Sequence, residues 1–295
     1  MYNEQMIQEL RKRWNALQQA LAREGGDAIL ITTNVYLFYV SGRIFSGAAY
    51  VRPEGDPLFF VRRPVGLKGG NVIYIRKPEE IVGHLQQRGI PMPAKLFFET
   101  DSISYNEYRR YEKIFDPRVV CNGTQLLRGV RSIKTIYEIG RIMRSGVLHA
   151  RLYERIPSLY RPGMTDTELS IEIERESRRL GSLGIFRIFG QSMEIVMGSL
   201  LAGDNADAPS PYDFALGGAG LDASLPVGGN GTPLTDGTSV MVDMGGNFTG
   251  YMTDMTRVFS VGKLTDRAYK AHDTALEIQR RIEQTAAPGV PAADL

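Results

Sequence analysis

A single cysteine, Cys121, occurs in 295 residues. One thiol excludes an internal disulfide and a cysteine-built zinc site. Long hydrophobic runs are scarce as well. The most apolar stretch, Ala28 to Val40, is interrupted by Thr32, Thr33 and Asn34 and is too short to span a bilayer. The opening, MYNEQMIQELRKRW, is charged and amphipathic and lacks the apolar core of a signal peptide. An excess of one charge sign is missing too: 35 Lys and Arg against 33 Asp and Glu leave +2. That balance gives no reason to expect nucleic acid or a membrane surface as a partner. These absences point to a soluble protein in a reducing compartment, the cytoplasm. What is present is enough apolar material for a core. Hydrophobic residues make up 43% and charged residues 23%, which excludes a disordered or fibrous chain. At about 150 residues per domain, the length suggests two domains.

The first half reads as helices alternating with strands. Trp14, Leu17 and Leu21 recur with helical period and stop at Gly25-Gly26. Short runs rich in β-branched and aromatic residues then predict strands at 28–31, 35–40, 48–51 and 58–61, separated by Ser41-Gly42 and by Pro53 to Pro57. Further strands are expected at 72–75 and 96–98, with a helix over 78–88 between them. This alternation indicates an α/β layer domain. A boundary falls near Leu127 to Ser132. Beyond it, 134–156 reads as a long helix with Ile136, Ile139, Ile142 and Met143 on one face. Thr165-x-x-Glu168 is a capping box that starts the next helix. Residues 183–262 change to short strands and glycine-rich turns, and 265–286 returns to helix.

The sharpest chemical signal is SVMVDMGGNFTGYMTDMTRVF, Ser239 to Phe259. Two strand-like runs flank a loop containing Gly245, Gly246, Asn247 and Gly250, the pattern of a hairpin. With the loop centred between Phe248 and Thr249, Asp243 and Asp254 stand directly opposite and share a face. Like charges so placed repel, and one carboxyl group should hold its proton more tightly. One or two divalent cations would remove that cost and use the oxygen ligands. The pairing alone leaves a second reading open: two solvated carboxylates with Arg257 as counter-charge.

The segment Asp243-Met-Gly245…Gly250-Tyr251-x-x-Asp254-x-Thr256-Arg257 resembles the first two metal ligands of the pita-bread superfamily. That superfamily comprises prolidases, Xaa-Pro aminopeptidases, methionine aminopeptidases and the metal-free creatinases. LRGVRSIKTIYEIGRI, Leu127 to Ile142, resembles the start of its catalytic domain, and Arg161-Pro-Gly-Met-Thr-Asp-Thr-Glu168 its next helix start. YLFYVSG, Tyr36 to Gly42, resembles the creatinase-type N-terminal domain, favouring the prolidase and aminopeptidase P branch. The resemblance implies a mixed α/β (α+β) fold: a creatinase-type N-terminal α/β domain over 1–130, then an incomplete pita-bread catalytic domain over 131–295. It implies an enzyme that hydrolyses Xaa-Pro bonds in peptides or dipeptides through a hydroxide held by two divalent metal ions (Mn, Co or Zn). Asp243 and Asp254 would be metal ligands, and a homodimer is expected.

Two departures qualify this. The family completes its site with a His and two Glu from later strands. Here the histidines are His84, His149 and His272, none in a matching motif. The expectation is therefore that the remaining ligands lie beyond Leu295, and that the 295-residue chain alone lacks appreciable peptidase activity. The family also usually places a substrate-binding Pro-His upstream of the first Asp. Here the sequence reads Leu225-Pro226-Val227-Gly228, and Val227 can neither donate a hydrogen bond nor take a proton. Two alternatives stand beside the peptidase: a creatinase-like metal-free C–N hydrolase, and a non-catalytic pita-bread protein that binds a peptide or partner. Elsewhere, Gly218-Ala-Gly220-Leu-Asp-Ala223 fits G-x-G-x-x-A, but Pro226 and further glycines follow instead of a helix, so it reads as a connecting loop. His149 reads as a packing or surface residue of its helix, and Tyr105, Tyr108 and Tyr111 as half-buried helix contacts.

Overall fold

The computed structural model describes residues 4–188, 197–212 and 217–295. The chain divides into two units, Met1–Tyr137 and Glu138–Leu295. The first runs α1 (Glu4–Arg23), β1 (Ala28–Ile31), α2 (Asn34–Ser41), β2 (Ser46–Val51), β3 (Leu58–Arg63), β4 (Val72–Tyr74), α3 (Glu80–Gln87), β5 (Lys95–Phe98), α4 (Tyr105–Phe115), β6 (Val119–Asn122) and α5 (Thr124–Ser132). Its six strands form one sheet in the order β4-β3-β2-β1-β5-β6. β2 lies antiparallel to β1 and β3, while β3–β4, β1–β5 and β5–β6 are parallel. Alternation along β1 sends Ile29 and Ile31 into one core and Ala28 and Leu30 into another. The first core takes Leu17 and Leu21 of α1, Leu37 of α2 and Leu127 of α5. The second takes Ile81 and Leu85 of α3 and Tyr111 and Phe115 of α4. The sheet is thus covered on both faces, as its parallel pairs require.

The expected strand over 35–40 is a helix, α2. The run NVYLFYVS has no polar face, and Tyr36, Leu37, Tyr39, Val40 and Ser41 are all buried. A continuous apolar run carries no periodicity to separate a buried helix from a buried strand. Tertiary contacts decide instead. The carboxylate of Glu99, itself 1% exposed, accepts the amides of Thr32 at 2.5 Å and Thr33 at 3.1 Å, together with both hydroxyls. That clamp fixes the turn into α2, and Gly42 ends the helix in the left-handed conformation at φ 70. Burial pushes the Glu99 carboxyl above its ordinary range, and its hydrogen bonds from Thr33 and Thr32 oppose the rise. A second buried charge is compensated nearby: Arg13 donates to Glu9 at 2.7 Å and to the Tyr39 carbonyl at 3.2 Å.

The second unit comprises α6 (Ile136–Leu159, whose first two residues belong to the first unit), α7 (Asp166–Arg179), β7 (Gly198–Ala202), β8 (Thr238–Asn247), β9 (Met252–Val261) and α8 (Asp266–Thr285). The capping box at Thr165 and Glu168 forms as expected. The strands make an antiparallel sheet in the order β7-β8-β9. Leu152 and Ile156 of α6 and Leu169 and Ile173 of α7 pack with Val240, Val242 and Met244 of β8. The apolar stripe expected on α6 does not form the buried face: Ile136, Ile139 and Met143 are exposed and Ile142 is half-buried. No residue of α8 is buried. Among the described residues no helix is long and apolar enough to cross a membrane.

Candidate metal centre

The β8–β9 hairpin turns through residues 248–251, so its centre lies one residue later than the sequence suggests. Asp243 pairs with Thr256, and Asp254 pairs with Gly245. The expected direct opposition of the two aspartates is therefore corrected to a diagonal one. Moving the centre by one residue shifts every partner by two, and a shift of two preserves the face. Asp243, Gly245, Asp254 and Thr256 all project to the same side of the hairpin. Diagonal neighbours in an antiparallel pair stand roughly 7–8 Å apart, still within reach of longer side chains.

The environments of the two carboxylates differ. Asp254 is exposed and Asp243 half-buried. The Thr256 hydroxyl donates to Asp243 Oδ1. Burial raises the Asp243 carboxyl above its ordinary range; the Thr256 bond opposes this, and the charge of Asp254 adds to it. Two acidic oxygen donors on one face, one carrying an electrostatic cost, fit a hard divalent cation as part of its ligand set. Among the described residues no group of three or more His, Cys, Asp or Glu is placed to complete such a set.

The motif glycine Gly245 and residues that no motif marks build the support. On the aspartate face, a Cβ at Gly245 would collide with the ring of Phe186, so this glycine lets the ring lie over the strand. On the opposite face, α6 supplies two buried side chains. The Tyr153 hydroxyl accepts from the Met244 amide at 3.1 Å and meets the carbonyls of Met255 and Val242, the latter at 3.2 Å. It thereby ties β8 to β9 beside both aspartates. His149 is fully buried, with Nδ1 3.0 Å from Thr253 Oγ1 and its ring 5.2 Å edge-on to Tyr153. A Cβ at Gly246 would come 2.6 Å from His149 Nδ1 and 2.5 Å from Thr253 Oγ1. His149 is thus a packing residue, as its helical position suggests. Burial pulls its pKa down to about 4, although Asp254 favours the charged ring. The loop is held as well: Arg141 donates to the Thr249 carbonyl at 2.9 Å, and Thr249 Oγ1 returns a bond to the Arg141 carbonyl at 3.0 Å.

A family model described as metallopeptidase family M24 matches residues 140–295, more than half of the chain. The chain belongs to metallopeptidase family M24. A second model, the creatinase/prolidase N-terminal domain, matches residues 13–133. An uncharacterized peptidase of Bacillus subtilis, YqhT, is 24% identical over 277 residues, covering 89% of this chain and 69% of the relative. The Xaa-Pro dipeptidase from Bacillus anthracis superposes with a TM-score of 0.70 at 22% identity, covering 92% of this chain and 71% of that one. The prolidase from Pyrococcus horikoshii OT3 gives 0.72 at 18% identity, covering 96% and 74%. These superpositions establish the expected fold, a creatinase-type N-terminal domain joined to an M24 domain. Val227 is buried, its amide donating to the Leu225 carbonyl at 2.9 Å, and its side chain carries no polar group.

Proposed function

We propose that this M24 protein, when its metal-ligand set is complete, is a metal-dependent peptidase acting on Xaa-Pro bonds in peptides or dipeptides. The observation that carries the reading is the common face of Asp243 and Asp254 on the β8–β9 hairpin, within the part of the chain that matches family M24. Asp243 and Asp254 would hold the ions, a pair of Mn, Co or Zn. Divalent cations bound there supply Lewis-acid activation of water and of the scissile carbonyl. The chain's own contribution is positioning. Thr256 engages one Asp243 oxygen and leaves the other for a ligand. Tyr153 fixes the two strands from behind. The name of the Bacillus anthracis neighbour, an Xaa-Pro dipeptidase, supports the substrate class. The single cysteine, Cys121, half-buried and free, supports a reducing, cytoplasmic setting.

One observation favours a second reading, a non-catalytic protein that binds peptides: Val227 stands where the family's substrate-binding histidine is expected. The metal-free creatinase-like reading is weaker, because nothing else in the hairpin needs two carboxylates on one face. The test is metal analysis of the intact purified protein together with hydrolysis of Ala-Pro and of an Ala-Pro-initiated tripeptide. The peptidase reading expects bound divalent metal and cleavage, both lost in Asp254→Ala. Peptide binding with neither metal nor cleavage would overturn it in favour of the second.

A further inference from the structure

The N-terminal unit holds a cleft that the hairpin chemistry does not use. Its volume is about 270 Å³, and it lies between α1, residues 41–45 ahead of β2, β3 and the segment 67–72. The floor is apolar. Leu10, Phe45, Phe59 and Val61 are buried there, and Trp14 meets Phe59 with ring centres 6.4 Å apart. The Trp14 Nε1 donor is already satisfied by the Val40 carbonyl at 2.6 Å. The indole therefore offers a ligand only its apolar surface. The rim is charged: Arg11 and Lys68 stand against Asp56. Arg11 and Lys68 are exposed.

An apolar floor beneath a few convergent charges is the common form of a small-molecule site. A cavity of roughly 150 Å³ accommodates benzene, so this one has room for a phenyl-sized body and a polar head. Arg11 and Lys68 against one carboxylate favour an anion, and Asp56 on the same rim disfavours a doubly charged one. We infer that this cleft binds a small amphipathic carboxylate, its apolar body on Leu10, Trp14 and Phe59 and its carboxylate at Arg11 and Lys68. An aryl acid and a short alkyl acid share that chemistry. The site is independent of Asp243 and Asp254.

Trp14 is the chain's single tryptophan and reports on the site directly. The experiment titrates the 295-residue chain with 3-phenylpropionate and with octanoate below its micelle concentration, following tryptophan emission. The expected result is a saturable change with one site per chain for at least one acid, the tighter acid identifying the aryl or alkyl class. The neutral 3-phenylpropanol and octanol, and inorganic phosphate, should bind at least tenfold more weakly. Arg11→Ala with Lys68→Ala should weaken the acid at least tenfold with circular dichroism and melting unchanged. Arg11→Lys with Lys68→Arg should retain binding, as should Asp243→Ala with Asp254→Ala. Equal binding of acid and alcohol, or an undiminished response in the double alanine variant, overturns the inference. So does tight binding of phosphate alone. Saturation by an apolar peptide with no response to either acid also overturns it and makes the cleft a protein-docking groove.

Discussion

His149 shows how much one buried ring can couple a fold to pH. Its pKa is near 4 in the folded chain and about 6.5 when unfolded. Between those values the unfolded state binds more protons, so stability falls as pH drops through this window. Above pH 6.5 both states are neutral at this position and its contribution is constant. Urea titrations at pH 7, 6, 5 and 4.5 should show the wild type losing stability faster than His149→Asn, by up to about 1.4 kcal/mol per pH unit. Parallel curves would mean that the ring is charged or solvated in the native state. Gly246 gives a second prediction at the same scale. Gly246→Ala must push a methyl group into His149 and Thr253, and overpacking of this kind costs typically about 1–3 kcal/mol. Chemical denaturation measures it, and a neutral result would show that α6 can retreat from the strand. The sequence suggests that His149 packs on its helix but gives none of its partners. The motif marks residues that carry oxygen atoms, whereas His149 and Tyr153 act across about a hundred positions of sequence on the back of the hairpin.

At the scale of elements, alternation and capping were readable and tertiary override was not. Leu58 to Val61 and Ala28 to Ile31 announce strands through β-branched and aromatic residues, and Thr165 announces a helix through its partner Glu168. Tyr36 to Val40 could not announce α2, because the deciding partner is Glu99, more than fifty residues away. The aspartates were legible for a different reason. Side-chain direction in a strand depends only on parity, so an error of one residue in the turn centre changes the distance but not the face. The contrast between α8 and its neighbours makes a further prediction. With no buried residue in Asp266–Thr285, this helix lacks the tertiary packing from which most helical stability in proteins comes. Brief trypsin treatment of the chain should cut first at Arg267, Lys270, Arg280 or Arg281, before any site in α6. Initial cleavage at Arg141 or Arg144 would contradict the burial pattern.

At the scale of the molecule, two units with separate cores predict separable losses of stability. Phe60 is fully buried in the first unit, and Phe→Ala at such a site costs typically about 3–5 kcal/mol. Hydrogen exchange on Phe60→Ala should show protection falling throughout β1 to β6 while the amides of β8 and Tyr153-linked Met244 keep theirs. Uniform loss across both units would show that they unfold as one. The order of strands in the first sheet also bears on how the chain is made. β1 ends at Ile31, but its parallel partner β5 begins at Lys95, and β6 at Val119. During synthesis β1 can pair with β2 early, yet one side of Ala28, Ile29 and Leu30 must wait while residues 52–94 leave the ribosome. β8 and β9, joined by four residues, have no such wait. The interval of greatest exposure to chaperones and to aggregation in translation therefore falls over the first domain. Pausing codons within 52–94 would lengthen it, whereas pauses within the hairpin would not.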